Sequence, residues 1–157
     1  MKTPVGIVGF RGYSGQELIR ILSRHPHVEP VLLEHRESEP EPAPIGHPGP
    51  RRAACTADAV KAEGLAAVFL ATPHDVAMEL SPVMLSAGAK VVDLSAAFRL
   101  ETGENYQRWY KEPHTQPELL KEAVYSIPEF HRAKVPTARL ISNPGCYPTA
   151  ANLAIRP

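Results

Sequence analysis

The sequence Val5-Gly6-Ile7-Val8-Gly9-Phe10-Arg11-Gly12-Tyr13-Ser14-Gly15 decides the fold of this chain. Its first four residues form a short apolar run of the kind that fills a buried strand. Glycine then recurs every third residue, and residues 16–23 place apolar side chains at helical spacing. A strand, a glycine-rich turn and an amphipathic helix predict a nucleotide-binding βα unit, because glycines let the backbone approach a pyrophosphate. The spacing is GxxGxxG instead of the commoner GxGxxG, and a turn without a ligand is the alternative.

A second strand is predicted over residues 28–33, and the residues after it bear on the choice of nucleotide. In dinucleotide-binding folds an acidic residue here accepts the ribose 2′-hydroxyl of NAD, whereas an arginine accommodates the 2′-phosphate of NADP. The chain offers both, since Glu34 is followed closely by Arg36. We favour NADP(H), with Arg36 as the phosphate-binding residue. Residues 39–52 are rich in proline and predict a surface loop inserted within one domain.

Two further apolar segments, residues 67–72 and 90–94, predict strands buried on both faces, as in a parallel sheet. Polar residues that follow them are candidate ligand contacts, because open α/β sheets bind ligands at the carboxyl ends of their strands. His74 follows the first segment, and capping a helix is its alternative role. Arg99 follows the second. It is either a bidentate contact for an anionic substrate, a surface residue, or a partner for Asp93.

Near the other end of the chain lies Ser142-Asn143-Pro144-Gly145-Cys146-Tyr147-Pro148-Thr149. A short apolar run precedes it and a predicted helix follows, so Cys146 is expected at a strand-to-helix turn. The unpaired N–H groups of a helix N-terminus stabilise a thiolate, which makes Cys146 a candidate nucleophile. A small core residue in a turn is the alternative. Upstream, Glu129 either contacts substrate or pairs with Arg132.

Composition and charge narrow the classes of protein to consider. The chain has 157 residues, 43% of them hydrophobic and 22% charged, which suits one domain, or one domain and part of another. Basic and acidic residues number 17 each, so no overall charge favours nucleic acid or an anionic membrane. No apolar run approaches membrane-spanning length. The chain has two cysteines, Cys55 and Cys146, so a disulfide framework or a metal site is not expected. A cytoplasmic location is expected for the same reason.

Five elements, in order, resemble the amino-terminal half of the N-acetyl-γ-glutamyl-phosphate reductase family. They are the glycine turn Gly9–Leu18, Pro73-His74, Asp93–Leu100, Tyr125–Glu129 and Asn143–Thr149, of which the last resembles the family's catalytic segment. The resemblance implies a Rossmann-like, doubly wound, mostly parallel α/β sheet over residues 1–147. Residues 148–157 would begin the α+β substrate and dimerisation domain. Most of that domain is absent from this chain, since family members are about twice as long.

The resemblance also implies roles for individual residues. Cys146 is expected to attack the acyl phosphate of N-acetyl-L-glutamyl 5-phosphate, and NADPH to reduce the resulting thioester to the semialdehyde of arginine biosynthesis. The residues expected to bind the cofactor are Gly9, Gly12, Tyr13, Ser14, Gly15, Arg36 and Ser95. Those expected to bind substrate are Asn143, Arg99, Glu129 and His74. The family's acid/base histidine belongs to the other half, and the full-length family is expected to form homo-oligomers.

Three positions depart from the family pattern. Ala97 replaces an aspartate, Ser126 replaces a glycine, and Arg11 stands where the nucleotide turn has a small residue. Two alternatives to the reductase also remain. The first is a related semialdehyde dehydrogenase of the aspartate or lysine pathway, which shares the chemistry. The second is a truncated NADP(H)-binding module without turnover. Neither a metal, a nucleic acid nor a membrane is expected as a partner.

Overall fold

The computed structural model describes residues 1–35 and 49–156. Its strands are β1 (Thr3–Val8), β2 (Val28–Glu34), β3 (Arg51–Ala54), β4 (Ala67–Leu70), β5 (Lys90–Asp93), β6 (Val124–Tyr125) and β7 (Leu140–Ser142). Its helices are α1 (Tyr13–Leu22), α2 (Ala57–Ala62), α3 (His74–Ser86), α4 (Gly103–Tyr110), α5 (Pro117–Glu122), α6 (Pro128–His131) and α7 (Cys146–Ile155).

The strands form one sheet in the order β3-β2-β1-β4-β5-β7-β6. Each neighbouring pair is parallel, so the carboxyl ends of the strands lie along the same edge. The chain proceeds outward from β1 to β3 on one side, and β4 then starts the other side next to β1. This arrangement confirms the expected doubly wound sheet and puts its switch point, where such folds bind ligands, between β1 and β4.

Apolar side chains on both faces of the sheet hold the helices against it. On one face, Leu18, Ile19 and Leu22 of α1 pack against a buried group formed by Ile7, Phe10 and Leu32. On the other face, α3 packs its buried side chains into a larger core that includes Val8, Leu33, Leu70, Val91 and Leu140. Burial on both faces explains the unbroken apolar runs in the strand sequences.

One boundary differs from that expected from the sequence. Arg51 and Arg52, assigned to the proline-rich loop, form the first half of β3 and pair with Val31 and Leu32 of β2. An edge strand with the sequence Arg-Arg-Ala-Ala has no apolar alternation, which is why the pattern missed it. The rest of the loop up to residue 48, and Arg36 with it, lies outside the described residues.

The domain boundary expected after residue 147 stays a prediction. That point falls within α7, because the helix already begins at Cys146 and Pro148 occupies its first turn. None of the residues of α7 is buried, and Tyr147, Leu153 and Ile155 are exposed apolar side chains. The helix therefore starts at the sheet edge and contributes no buried side chain to the core.

A buried histidine lies between α4 and the loop that follows β5. His114 is 8% exposed; its Nε2 donates to the Ala97 carbonyl at 2.9 Å, and its Nδ1 accepts the Gln116 N–H at 3.0 Å. The Phe98 and Tyr106 rings contact it edge to face, with centroids 5.4 and 4.8 Å away. These bonds define a neutral imidazole, and burial lowers the pKa of His114 below its usual value.

We expect this histidine to make the fold sensitive to mild acid. Because its pKa is lower in the folded than in the unfolded chain, the unfolded state takes up the extra proton as pH falls through about 6.5. His114→Gln, which can donate and accept in the same way, should lose less stability between pH 7.5 and 5.5 than the wild type. Urea unfolding at each pH measures the difference, with the exposed His27→Gln as control. Parallel stability curves for His114→Gln and wild type would contradict the assignment.

Candidate active site

The glycine turn after β1 is shaped by backbone contacts that admit no side chain. Gly9 has a φ of 77°, and a Cβ there would lie 2.1 Å from the Ala71 carbonyl oxygen at the end of β4. The Gly12 N–H donates to the Gly9 carbonyl at 3.0 Å, and the Gln16 side chain donates to the Phe10 carbonyl at 2.9 Å. The turn is therefore held closely against the neighbouring strand.

Helix α1 begins directly after this turn with an open N-terminus. Gly12 is its N-cap, no side chain caps it, and its first turn has no acidic residue. The first N–H groups of a helix have no partner within it, so this end attracts anions. Tyr13 and Ser14 are exposed at this point. Gly15 has a different role. A Cβ there would lie 2.3 Å from the Gly9 carbonyl oxygen, so the lack of a side chain allows α1 to pack closely against the turn after β1.

A cleft of about 270 Å³ lies at the switch point between β1 and β4. Its walls combine apolar residues with polar groups from three strand ends; they are Val8, Gly9, Phe10, Arg11, Gly12, Leu33, Glu34, His35, Ala71, Thr72, Pro73 and Val76. The Thr72 hydroxyl oxygen is buried and has no hydrogen-bond partner among the described residues. A glycine cradle, an open helix N-terminus and an unpartnered hydroxyl fit a bound dinucleotide.

The end of β2 supplies the charged part of the cleft. Glu34 and His35 line it, and Glu34 Oε1 lies 3.3 Å from Arg52 Nη1 and 3.8 Å from Arg11 Nη2. Arg52 was missed by the sequence interpretation because it was assigned to a loop. The doublet Arg51-Arg52 just before Ala53-Ala54 was the one available signal.

Arg99 connects the loop after β5 to the turn that carries Cys146. Its Nε donates to the Asn143 carbonyl at 3.0 Å and its Nη2 to the Leu94 carbonyl at 2.9 Å. A Cβ on Gly145 would lie 3.1 Å from Arg99 Nη1. The guanidinium therefore bridges two loops through backbone carbonyls, and its predicted contact to an anionic substrate stays a prediction.

The residues around Arg99 complete this connection. The Asn143 N–H donates to the Asp93 carbonyl at 2.8 Å. The Asp93 carboxylate accepts the Ser95 N–H at 2.9 Å, and the Ser95 hydroxyl in turn accepts the Ala97 N–H at 3.0 Å. Burial raises the pKa of Asp93, although the Ser95 hydrogen bonds and the Arg99 charge oppose the shift. Ser95 thus closes a turn after β5 and does not line the cleft.

Cys146 is exposed and is the first residue of α7. Gly145 is the N-cap, no side chain caps the helix, and no acidic residue lies in its first turn. Because Pro148 has no N–H, the open donors here are the Cys146 and Tyr147 amides. Cys146 follows β7, and because the strands are parallel it lies at the same sheet edge as the cleft. Strand β7 is three strand spacings, about 14 Å, from β1.

The other cysteine has contrasting surroundings. Cys55 is half-buried, and its pKa is raised to about 11, mainly by burial and further by the negative charge of Glu79. A thiol with so high a pKa is protonated and inert at neutral pH. Of the two cysteines, Cys146 is the one placed to react.

The structure shows the surroundings of two further residues that the sequence predicts to contact substrate. His74, the first residue of α3, hydrogen-bonds through Nε2 to Glu112 Oε1 at 2.7 Å and lies beside the Tyr110 ring. It links α3 to the segment after α4. Glu129 is exposed in the short helix α6, and the described residues include no ion pair between it and Arg132.

We expect Arg99 to position the nucleophile turn. Arg99→Lys keeps the charge but loses the fork that holds both carbonyls, so the thioester formation that the resemblance implies should slow roughly 10- to 100-fold at saturating acyl phosphate. The acyl-phosphate concentration for half-maximal rate should stay nearly unchanged. Single-turnover kinetics separate the two quantities. A higher half-saturation concentration at an unchanged maximal rate would instead make Arg99 a substrate anchor.

Residues 1–35 and 49–156 lack two features. No group of three or more histidine, cysteine or acidic side chains is arranged to hold a metal ion. No helix in these ranges combines the length and apolar character needed to cross a membrane.

A parallel sheet whose switch point holds a glycine-lined cleft defines a dinucleotide-binding domain. An exposed cysteine at a helix N-terminus on the same edge is an arrangement also found in enzymes that form covalent intermediates. The chain belongs to the semialdehyde dehydrogenase family, whose NAD-binding domain model matches residues 4–138. This family match indicates a nicotinamide dinucleotide as the cofactor.

Curated relatives confirm the resemblance to one group of reductases. N-acetyl-gamma-glutamyl-phosphate reductases from Herminiimonas arsenicoxydans and Ectopseudomonas mendocina are 45% and 46% identical, and each match covers 98% of this chain. The matched part is 46% of each relative, so the chain spans about half their length. It corresponds to their amino-terminal half.

Solved structures show the same fold at lower identity. Aspartate semialdehyde dehydrogenase II from Vibrio cholerae, complexed with ASA, superposes with a TM-score of 0.71 at 16% identity, covering 99% of this chain and 46% of that one. The NADP complex of aspartate semialdehyde dehydrogenase from Candida albicans gives a TM-score of 0.51 at 23% identity, covering 66% and 32%. At these identities the likeness concerns the fold alone.

Proposed function

We propose that this chain is the cofactor-binding and nucleophile-bearing half of an NADPH-dependent N-acetyl-L-glutamyl 5-phosphate reductase of arginine biosynthesis. The observation that carries the proposal is the place of Cys146, exposed at an open helix N-terminus on the sheet edge that also holds the glycine-lined cleft. The names of relatives about 45% identical to the chain support the choice of substrate.

The proposed first step forms a bond between the Cys146 thiolate sulfur and the acyl carbon of the acyl phosphate. The carbon–oxygen bond to the phosphate then breaks, and inorganic phosphate leaves with that electron pair, so the product is a thioester on Cys146. The amides of Cys146 and Tyr147 are placed to donate to the oxyanion that forms on the way. Each such donor contributes about 3 kcal/mol in comparable sites.

A nicotinamide cofactor bound in the cleft would supply the hydride that reduces the thioester. Gly9 and Gly12 let the backbone approach its pyrophosphate, and the first turn of α1, at Tyr13 and Ser14, donates N–H groups to it. Ser95 lies two residues beyond β5 and holds the loop beside this site through its turn. We further propose that NADP(H) is preferred to NAD(H), with Arg36 contributing to that preference.

The remaining roles belong to the same proposal. Asn143 and Arg99 hold the nucleophile turn, while Glu129 and His74 are candidate contacts for the substrate. The acid/base histidine would come from the other half of the full-length protein, which would act as a homo-oligomer in the cytoplasm.

Single-turnover acylation without cofactor tests the proposal directly. The chain is mixed with N-acetylglutamyl 5-phosphate, and peptide mass spectrometry then locates any acyl adduct. We expect an N-acetylglutamyl thioester on Cys146 and none on Cys55, which serves as an internal reference. A folded chain that binds NADPH but gains no adduct would instead be a nucleotide-binding module without turnover. Faster acylation by β-aspartyl phosphate would indicate the aspartate-pathway enzyme.

A further inference from the structure

Two arginines approach the aromatic ring that follows the first glycine of the nucleotide turn. The Arg11 Cζ lies 4.9 Å from the Phe10 ring centroid, and the Arg52 Cζ lies 5.7 Å from it. These arginines come from different parts of the chain, one from the turn after β1 and one from the edge strand β3. The sheet brings them together, because β3 pairs with β2 and β2 pairs with β1.

Among residues 1–35 and 49–156, a single carboxylate balances this pair of charges. Glu34 lies 3.3 Å from Arg52 and 3.8 Å from Arg11, measured between the nearest oxygen and nitrogen atoms. One negative charge faces two positive charges, so the cluster of Arg11, Arg52 and Glu34 keeps a net charge of about +1 at neutral pH. Its side chains are only 36–38% exposed, so water screens their charges incompletely.

The position of this cluster matches the ribose end of a dinucleotide. Arg11 and Glu34 both line the cleft, and Glu34 is the last residue of β2, where such folds read the ribose 2′-substituent. A lone acidic residue there would accept the 2′-hydroxyl of NAD. Here the carboxylate already faces two guanidinium groups, which leaves cationic donors, and not a free acceptor, at the ribose position.

A purely structural role for the cluster gives a weaker account. Partly exposed ion pairs contribute only about 0–1 kcal/mol to stability. Such a small gain does not by itself explain why two arginines from different elements meet beside one aromatic ring. The neighbouring Arg51 provides the contrast. As the preceding residue of β3, it projects from the opposite face of the strand and pairs with Glu29 and Glu63.

We infer that Arg11 and Arg52 form the binding site for the 2′-phosphate of NADP(H), with Glu34 positioning both guanidinium groups in the ligand-free protein. The inference rests on the proposed function, since it concerns the cofactor of the same site. When the phosphate enters, its oxygens take the place of the Glu34 carboxylate as the anionic partner of both guanidinium groups. Neither Arg11 nor Arg52 is the residue to which the sequence alone assigns this role.

Two small probes isolate this end of the cofactor. Calorimetric titration of the whole chain with adenosine 2′,5′-bisphosphate and with 5′-AMP compares ligands that differ by the 2′-phosphate. The wild type should bind the bisphosphate more tightly. Arg11→Gln and Arg52→Gln should each weaken it on the order of tenfold or more, with 5′-AMP changed less than about twofold. Glu34→Gln should strengthen bisphosphate binding, because it removes the competing negative charge.

Matched variants make each outcome decisive. Arg51→Gln should leave both titrations unchanged, because it removes a charge from the adjacent position of β3, whose side chain pairs with Glu29 and Glu63 and not with Glu34. Equal weakening of both probes by Arg11→Gln and Arg52→Gln, or an effect of Arg36→Gln alone, would overturn the inference. Equal affinity of the wild type for NADPH and NADH would also overturn it, while leaving dinucleotide binding intact. Failure to bind either dinucleotide would overturn the proposed function itself.

Discussion

Replacement of Cys146 by alanine is expected to reduce acyl transfer from N-acetylglutamyl 5-phosphate by on the order of 10⁴-fold or more, to the background of the assay. The change removes the sulfur that forms the thioester, and no other described thiol can replace it, because Cys55 is half-buried with a pKa of about 11. NADPH binding, measured by fluorescence titration, should stay within about twofold, because Cys146 does not line the cleft.

The matched control for this prediction is Cys55→Ala. It removes the other cysteine and should leave acylation at the wild-type rate, with a small loss of stability from packing. If Cys146→Ala lost both acylation and NADPH binding, the cysteine would be a structural residue of the turn. If Cys146→Ala kept acylation, the nucleophile would have to be sought elsewhere.

The second large effect is expected at Gly9. Gly9→Ala should lower the free energy of unfolding by about 2–5 kcal/mol, because the new Cβ meets a carbonyl oxygen and the backbone has a left-handed conformation. The Cβ would lie 2.1 Å from the Ala71 oxygen, so β1 and β4 would have to separate where the cleft forms. Urea unfolding measures the loss, and dinucleotide titration should show weakened binding in whatever protein stays folded.

Gly64→Ala separates the two causes. Gly64 also has a positive φ, of 60°, but an added Cβ would find no atom within 4 Å. Its loss should therefore be the backbone strain alone, about 1–2 kcal/mol. Equal losses in the two variants would mean that the contact with Ala71 relaxes at no cost, contrary to our account of the turn.

The order of the main elements could be predicted because each signal is local. The run from Val5 to Gly15 combines a buried strand, a required glycine and a helix start within one stretch of sequence. Cys146 was placed correctly at a strand-to-helix turn for the same reason, since Ser142 ends β7 and Pro148 suits the first turn of α7.

Partners between distant residues could not be predicted in this way. Arg99 and Asn143 are 44 residues apart, and only the pairing of β5 with β7 brings them together. His74 and Glu112 are 38 residues apart and meet across α3 and α4. The sequence identified Arg99 and His74 as polar residues at strand ends, but the choice between a ligand and a protein partner depends on the tertiary structure.

The wholly parallel sheet has a kinetic consequence. Parallel strands cannot be joined by a tight hairpin, and in the described residues each strand pairs with a neighbour only after a long excursion of the chain. The pairing of Val8 with Leu70 brings together the two strands that flank the cleft, and it closes a loop of more than fifty residues. Such pairing delays the folding transition and exposes apolar strands meanwhile. Refolding from denaturant therefore favours dilute, cool solutions, in which the central strands meet before separate molecules do.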